Sequence, residues 1–198
     1  MKVFGIGLSR TGTKTLTAAL GVLGFDVVHY PADETSLAAM ARGDGRFPLL
    51  DRHDGLTDIA TIPYLRELDD LHPGAKFVLT VRDKPSWLRS MQRHWAGRPA
   101  TPVTGTHGQV RLLLRAAVYG CCEFNAARMS RVYDDHLDRV RHHFAHRRDD
   151  LLELDICAGQ GWERLAPFLG RAVPGTPFPA VRRQRDLDVF TRRRDGYL

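Results

Sequence analysis

Hydrophobic positions in the first half of the chain follow two periods in turn, one typical of buried strands and one typical of helices. Short apolar runs predict strands at 3–6, 25–30, 55–58 and 76–81. Between these runs, apolar residues recur at helical spacing, for example at Leu16, Leu20 and Leu23. Because strands and helices alternate, the pattern predicts a parallel sheet joined by crossover helices.

The second half of the chain has a mainly helical pattern. Residues 97–107 are rich in Pro, Gly and Thr, and we interpret them as a lid or substrate loop. A helical period follows over 108–146, as one long helix or two broken ones. A last strand is predicted at 151–155 and a short helix at 162–169, whereas no secondary structure is predicted beyond Pro179.

Composition indicates an ordinary globular chain. With 198 residues, 43% hydrophobic content and 26% charged residues, residues 1–198 are predicted to form a single domain. No run of about 18 apolar residues is present and no signal-peptide pattern opens the chain, so we expect no membrane span and a cytoplasmic protein. Cys121, Cys122 and Cys157 have no metal or disulfide spacing, and we interpret them as packing residues of a reducing compartment.

The chain carries a net charge of +6, and all but four of its 29 basic residues are arginines. They are scattered among acidic residues except in a basic C-terminal tail at 180–198, which contains Arg182, Arg183 and Arg185. No nucleic-acid-binding motif accompanies the charge, so a nucleic-acid-binding module is the weakest hypothesis. A small anionic ligand accounts for the balance equally well.

The segment between the first strand and the first helix has the form of an anion-binding loop. Gly7 and Gly12 have the separation of the Walker A motif, G-x-x-x-x-G-K-[ST], but Thr13 stands before Lys14. That insertion argues against a nucleoside triphosphate as the ligand. The dinucleotide fingerprint is also weak, because Arg10 occupies its third glycine position. A loop that leads into a helix N-terminus still predicts a bound phosphate or sulfate.

A resemblance to a known family rests on two segments. Arg10-Thr11-Gly12-Thr13 resembles the 5′-phosphosulfate loop of the sulfotransferases, particularly of their small bacterial-type branch. Arg82 closes the clearest strand, and Ser90 follows eight residues later, as in the 3′-phosphate site of that family. Guanidinium and hydroxyl groups suit a phosphate. Further similar segments extend the resemblance from Lys2 to about Pro179.

The resemblance implies a P-loop-NTPase-like three-layer α/β/α fold with a central parallel sheet and a helical second half. It implies transfer of a sulfuryl group from 3′-phosphoadenosine 5′-phosphosulfate (PAPS) to a hydroxyl or amine of a small-molecule acceptor, without a metal, leaving adenosine 3′,5′-bisphosphate (PAP). The implied donor-binding residues are Arg10, Thr11, Gly12, Thr13, Lys14, Thr15, Arg82 and Ser90. Two departures are that Lys14 stands where the family usually has Thr, and that a C-terminal Arg-Lys-Gly element is absent, for which Arg182 or Arg183 could substitute.

Four residues are candidates for the chemistry. Arg10 and Lys14 can stabilise charge on the leaving phosphate. His29 and Asp58 each close a strand, at the sheet edge where ligands of open α/β folds bind. We rank His29 first as the base because its ordinary pKa suits proton abstraction near neutrality, and Asp58 is its competitor. A packed histidine and a helix N-cap aspartate are the structural alternatives.

Three other hypotheses complete the predictions. The alternative function is a nucleotide-dependent kinase or NTPase that uses magnesium, with Asp51 in Leu49-Leu50-Asp51 as its metal carboxylate. The histidines His136, His142, His143 and His146 are interpreted as a solvated basic helix face rather than a metal site. The oligomeric state is left open, with a homodimer as one option.

Overall fold

A computed structural model gives the structure of residues 1–98 and 103–181. Over these ranges five strands form one sheet, and seven α-helices pack against it. The strands are β1 (Val3–Gly5), β2 (Val27–His29), β3 (Gly55–Thr57), β4 (Lys76–Thr80) and β5 (Leu151–Leu154). The helices are α1 (Thr13–Val22), α2 (Glu34–Arg42), α3 (Leu65–Leu71), α4 (Lys84–Ala96), α5 (Gly105–Leu114), α6 (Ala126–His143) and α7 (Trp162–Phe168).

The five strands are all parallel and lie in the order β2-β3-β1-β4-β5. Side chains of successive strand residues point to opposite faces of the sheet. Phe77 and Leu79 therefore join the larger core, which α2 to α6 cover, whereas Val78 joins the smaller core beneath α1 and α7. The result is the predicted three-layer α/β/α architecture with a central parallel sheet. Because β1 lies in the middle, the loop that follows it opens at the centre of the sheet's carboxyl edge.

The second half is helical, as predicted, but its helices begin earlier and are less regular. α5 begins at Gly105, inside the segment predicted as the loop 97–107, of which residues 99–102 lie outside the described ranges. α5 continues into a π-helical segment, Arg115–Tyr119, which ends at Gly120 with φ 63°. Such segments are rare and often lie at functional sites.

The structure also bears on the segment 48–51, on the basic tail and on the expectation of no membrane span. Leu49, Leu50 and Asp51, which the kinase alternative would use for magnesium, lie in a short 3₁₀ turn, Pro48–Asp51. The basic tail from Arg182 onward lies outside the described residues. Among the helices of the described part, none is long and apolar enough to cross a membrane.

Candidate functional site

The loop between β1 and α1 depends on two glycines. A Cβ on Gly7 would lie 1.8 Å from the hydroxyl oxygen of Thr80 and 2.8 Å from the carbonyl oxygen of the same residue. Gly12 has φ 103°, in the left-handed region that favours glycine. The hydroxyl of Thr11 donates to the carbonyl of Leu8 at 2.6 Å and meets the Thr80 hydroxyl, so Thr11 shapes the loop from inside.

The N-terminus of α1 is open to an anion. The first helical hydrogen bond runs from the N–H of Leu16 to the carbonyl of Gly12, so the N–H groups of the first turn of α1 precede the helical hydrogen-bond ladder and point out of the helix end. No side chain caps this end and the first turn contains no acidic residue. The partial positive charge of the helix terminus, joined by the Lys14 ammonium, therefore favours a negatively charged ligand.

Arg10 and Arg82 lie side by side at this loop. The Arg10 Nε donates to the Ser90 hydroxyl at 3.1 Å, and the Arg82 guanidinium donates to the Ser86 hydroxyl at 3.1 and 2.8 Å and to the Arg10 carbonyl at 3.2 Å. Arg82 and Ser90 are thus close, although their direct partners are Ser86 and Arg10. Burial lowers the pKa of Arg10 below its ordinary value, and the positive charge of Arg82 lowers it further. Such a shift is expected where cationic side chains lie close together and no anion offsets their charge.

Asp58 and His29 form a pair on the other side of the loop. The His29 Nε2 lies 3.3 Å from the Asp58 Oδ2, and its Nδ1 lies 3.2 Å from the Thr57 hydroxyl. The same carboxylate accepts hydrogen bonds from the hydroxyls of Ser9 and Thr13, each at 3.2 Å. Burial lowers the pKa of His29 below its ordinary value, with Asp58 opposing the shift. His29 is therefore neutral at pH 7, and Asp58 links it to the loop. Asp58 does not cap a helix, since the one described backbone N–H that donates to its side chain is that of the next residue, Ile59.

One cavity of about 1330 Å³ connects these groups. It brings together most of the residues predicted from the sequence, namely Arg10, Gly12, Thr13, Lys14, Thr15, His29, Asp58 and Arg82. Thr11 and Ser90 lie behind its wall. Every described non-glycine residue with a positive φ, Arg10, Tyr30 and Asp58, also lines it. Strained backbone of this kind is concentrated at functional sites.

One wall of the cavity, formed by α5 and the π-helical segment, was not identified from the sequence. Its lining residues, His107, Arg111, Arg115 and Tyr119, recur every fourth position. Residues four apart lie on the same face of a helix, so this spacing was visible in the sequence as a polar stripe. Nothing local indicated that the stripe faces a cavity at the end of the sheet. His94 of α4 was missed for the same reason, whereas Arg98 and His107 lie within the segment 97–107, which was interpreted as a lid or substrate loop.

Arg115 is buried in this wall without a carboxylate. Its guanidinium donates to the carbonyls of Cys122 and Arg98 at 3.1 and 2.6 Å, and lies 4.1 Å from the ring centre of Trp95. Burial raises the pKa of Tyr30 to about 12, and burial together with Arg98 lowers the pKa of His94 to about 4. Both side chains are therefore neutral at pH 7, and the positive charge of this wall comes from its arginines.

Several sequence interpretations need correction. His136 is buried and bonded to the Ile6 carbonyl, and His143 pairs with Asp69, so the solvated face does not include them. Cys157 is exposed and lines the cavity, rather than packing in the core. Asp51, the proposed magnesium carboxylate, is exposed on its 3₁₀ turn and does not line the cavity. Among the described residues, no three His, Cys, Asp or Glu side chains are grouped to hold a metal ion.

Comparison with known proteins agrees with this geometry. The family model described as "Sulfotransferase domain" matches residues 2–187, nearly the whole chain. The chain therefore belongs to the sulfotransferase domain family, and it is a transferase. It is also similar to "Ava biosynthesis cluster protein M" of Aspergillus versicolor, with 27% identity over 213 residues, which cover 91% of this chain and 80% of that protein.

Proposed function

We propose that the protein is a sulfotransferase that moves the sulfuryl group of PAPS to a hydroxyl or amine of a small-molecule acceptor. The observation that carries the proposal is the uncapped N-terminus of α1 flanked by Arg10, Lys14 and Arg82 in a cavity with a single lining carboxylate, Asp58, among the described residues. A single small-molecule site commonly occupies about 300–1,000 Å³. The cavity, at about 1330 Å³, exceeds that range, which fits a site that binds a donor together with a small acceptor.

We place the donor in the half of the cavity at the carboxyl ends of β1, β4 and β5, which we call the donor half. The loop 10–15 and the N-terminus of α1 bind the 5′-phosphosulfate, and Arg82 binds the 3′-phosphate, which carries two charges suited to a bidentate guanidinium. Ser90 accepts a hydrogen bond from Arg10 and so positions the Arg10 guanidinium in this site. Arg10 and Lys14 stabilise negative charge on the phosphate oxygen as the bond from that oxygen to sulfur breaks.

Asp58 is the group that we assign to remove the acceptor proton, and this assignment reverses the ranking drawn from the sequence. Both ring nitrogens of His29 already face protein atoms, Nε2 toward Asp58 and Nδ1 toward Thr57. A neutral His29 can donate from Nε2 and so orient the carboxylate, whereas Asp58 also touches Ser9 and Thr13 of the loop. In this mechanism the acceptor oxygen or nitrogen bonds to sulfur while its proton passes to Asp58.

Binding of PAP tests the donor assignment. Titration of the full-length protein with PAP in the presence of a chelator should raise its melting temperature, because a ligand that binds only the folded chain stabilises it. Adenosine 5′-phosphate and magnesium ATP serve as comparison ligands. Stabilisation by magnesium ATP, with none by PAP, would instead favour the kinase or NTPase alternative.

Two substitutions test the base. Asp58→Asn should lower turnover by at least about a hundredfold, the usual scale for general base catalysis, at unchanged affinity for PAP. His29→Gln should cost less, because glutamine can still donate a hydrogen bond to the carboxylate. If His29→Gln abolishes turnover and Asp58→Asn does not, His29 is the base, as the sequence alone suggested.

A further inference from the structure

The cavity is lined by more arginines than we assign to donor binding. Three arginines, which we call the acceptor-side arginines, lie outside the donor half: Arg98, Arg111 and Arg115. Arg111 and Arg115 lie on α5 and the π-helical segment, at the opposite end of the site, since α5 packs against α2, which follows β2 at the far edge of the sheet from β5. Arg98 follows α4 and joins them because its carbonyl accepts a hydrogen bond from Arg115. All three act electrostatically on Tyr30, as Asp58 does, so they lie in the part of the cavity near Asp58, where we place the acceptor.

The fold does not neutralise these charges. None of the acceptor-side arginines forms an ion pair with a described carboxylate. Arg115 has a structural explanation in its two carbonyl partners and its contact with Trp95. Arg111 has none, because its Nε is buried without a hydrogen-bond partner, the one such side-chain atom found among the described residues. A buried donor without a partner is costly, so its retention here points to a ligand atom that accepts from it.

The described side chains around Arg111 do not supply an anionic group to which its guanidinium could donate a hydrogen bond. Tyr30 lies close enough to the acceptor-side arginines for their charges to act on its hydroxyl, yet burial keeps the phenol protonated. His94 is kept neutral in the same region. Asp58, which bonds to Ser9, Thr13 and Ile59 and pairs with His29, forms no ion pair with a described arginine. Within residues 1–98 and 103–181, therefore, no side chain supplies an anion to Arg111, and we infer that the anion comes with the ligand.

We propose that the acceptor of this enzyme carries an acidic group, in its simplest form a carboxylate, which binds to Arg111 with the support of Arg98 and Arg115. This inference rests on the proposed function. Guanidinium groups bind planar carboxylates through paired, charge-assisted hydrogen bonds, which fix orientation as well as affinity. Such an anchor holds the hydroxyl or amine of the acceptor toward Asp58, and the rings of Trp95 and Tyr119 form an aromatic wall for its carbon skeleton.

The test compares an acid with its neutral ester on the full-length protein saturated with PAP, which blocks the donor half. Isothermal titration with 4-hydroxybenzoate and with its methyl ester, at up to millimolar concentrations, should show at least about tenfold tighter binding of the acid, the scale of a charge-assisted hydrogen bond. Arg111→Gln should remove this preference and leave PAP affinity unchanged. Arg131→Gln, at an exposed position of α6, is the matched control and should keep it.

The outcomes separate the two proposals. Equal affinities for acid and ester, absence of binding by the acid, or an undiminished preference in Arg111→Gln would each overturn the acidic acceptor while PAP binding preserves the sulfotransferase assignment. Failure of PAP to bind at all, seen in the saturation step, would overturn the proposed function and this inference with it. The comparison of acid and ester in the wild-type protein decides the matter even if Arg111→Gln does not fold.

Discussion

His136 makes the stability of the protein depend on pH in a way that can be measured. The imidazole is buried on α6, and its Nε2 lies 2.8 Å from the carbonyl of Ile6, the residue that connects β1 to the loop before α1. Its Nδ1 lies 3.2 Å from the Arg139 guanidinium. The neutral ring fits both contacts, since Nε2–H donates to Ile6 and Nδ1 accepts from Arg139. A protonated ring would place a second cation beside Arg139.

The magnitude follows from the pKa of this one group. Burial lowers the pKa of His136 from 6.5 to about 4. Below pH 6.5 the unfolded chain therefore binds a proton that the folded chain does not, and stability falls as the pH decreases. The full difference between the two pKa values corresponds to about 3 kcal/mol, of which about 2 kcal/mol is already lost at pH 5. This window lies above the pH at which most carboxylates titrate.

Urea unfolding of the wild-type protein and of His136→Gln at pH 7 and pH 5 measures the effect. Glutamine can donate to the Ile6 carbonyl but does not titrate, so the wild-type free energy of unfolding should fall by about 2 kcal/mol more than that of the variant. His29, His72 and His94 also have lowered pKa values, and their effects cancel because both proteins contain them. His142→Gln, at an exposed position of the same helix, is the control substitution. Parallel losses in the wild-type protein and His136→Gln would refute the assignment.

Two further substitutions test the donor half of the cavity. Arg82→Ala should weaken PAP binding about tenfold to a hundredfold and adenosine 5′-phosphate binding much less, as calorimetry can measure; equal losses would mean that Arg82 does not bind the 3′-phosphate. Gly7→Ala should destabilise the protein by about 1–3 kcal/mol in thermal unfolding, because the new Cβ meets the backbone of Thr80. Gly21→Ala, whose Cβ would meet nothing within 4 Å inside α1, should be neutral or stabilising, and an equal loss there would contradict the steric explanation.

Local sequence determined the loop and helix N-terminus to which we assign the donor. The run of apolar residues before Gly7, the glycine at position 12 and the helical period from Leu16 specify a strand, a tight loop and a helix that are adjacent in the chain. Their relative placement follows from short-range backbone geometry, and so the loop was predicted correctly. Arg82 and Asp58 could be placed at the same edge because the carboxyl ends of parallel strands always meet there.

Only the tertiary structure decided what faces that loop. The stripe from His107 to Tyr119 has a clear helical spacing, yet spacing shows which residues share a face and not which element the face meets. The partners of Ser90 and His29 were likewise undetermined, because a hydroxyl or an imidazole near a strand end has several neighbours within reach. The unpartnered Arg111 is visible only once α5 lies over the sheet edge, since the burial of a single atom depends on every element packed around it.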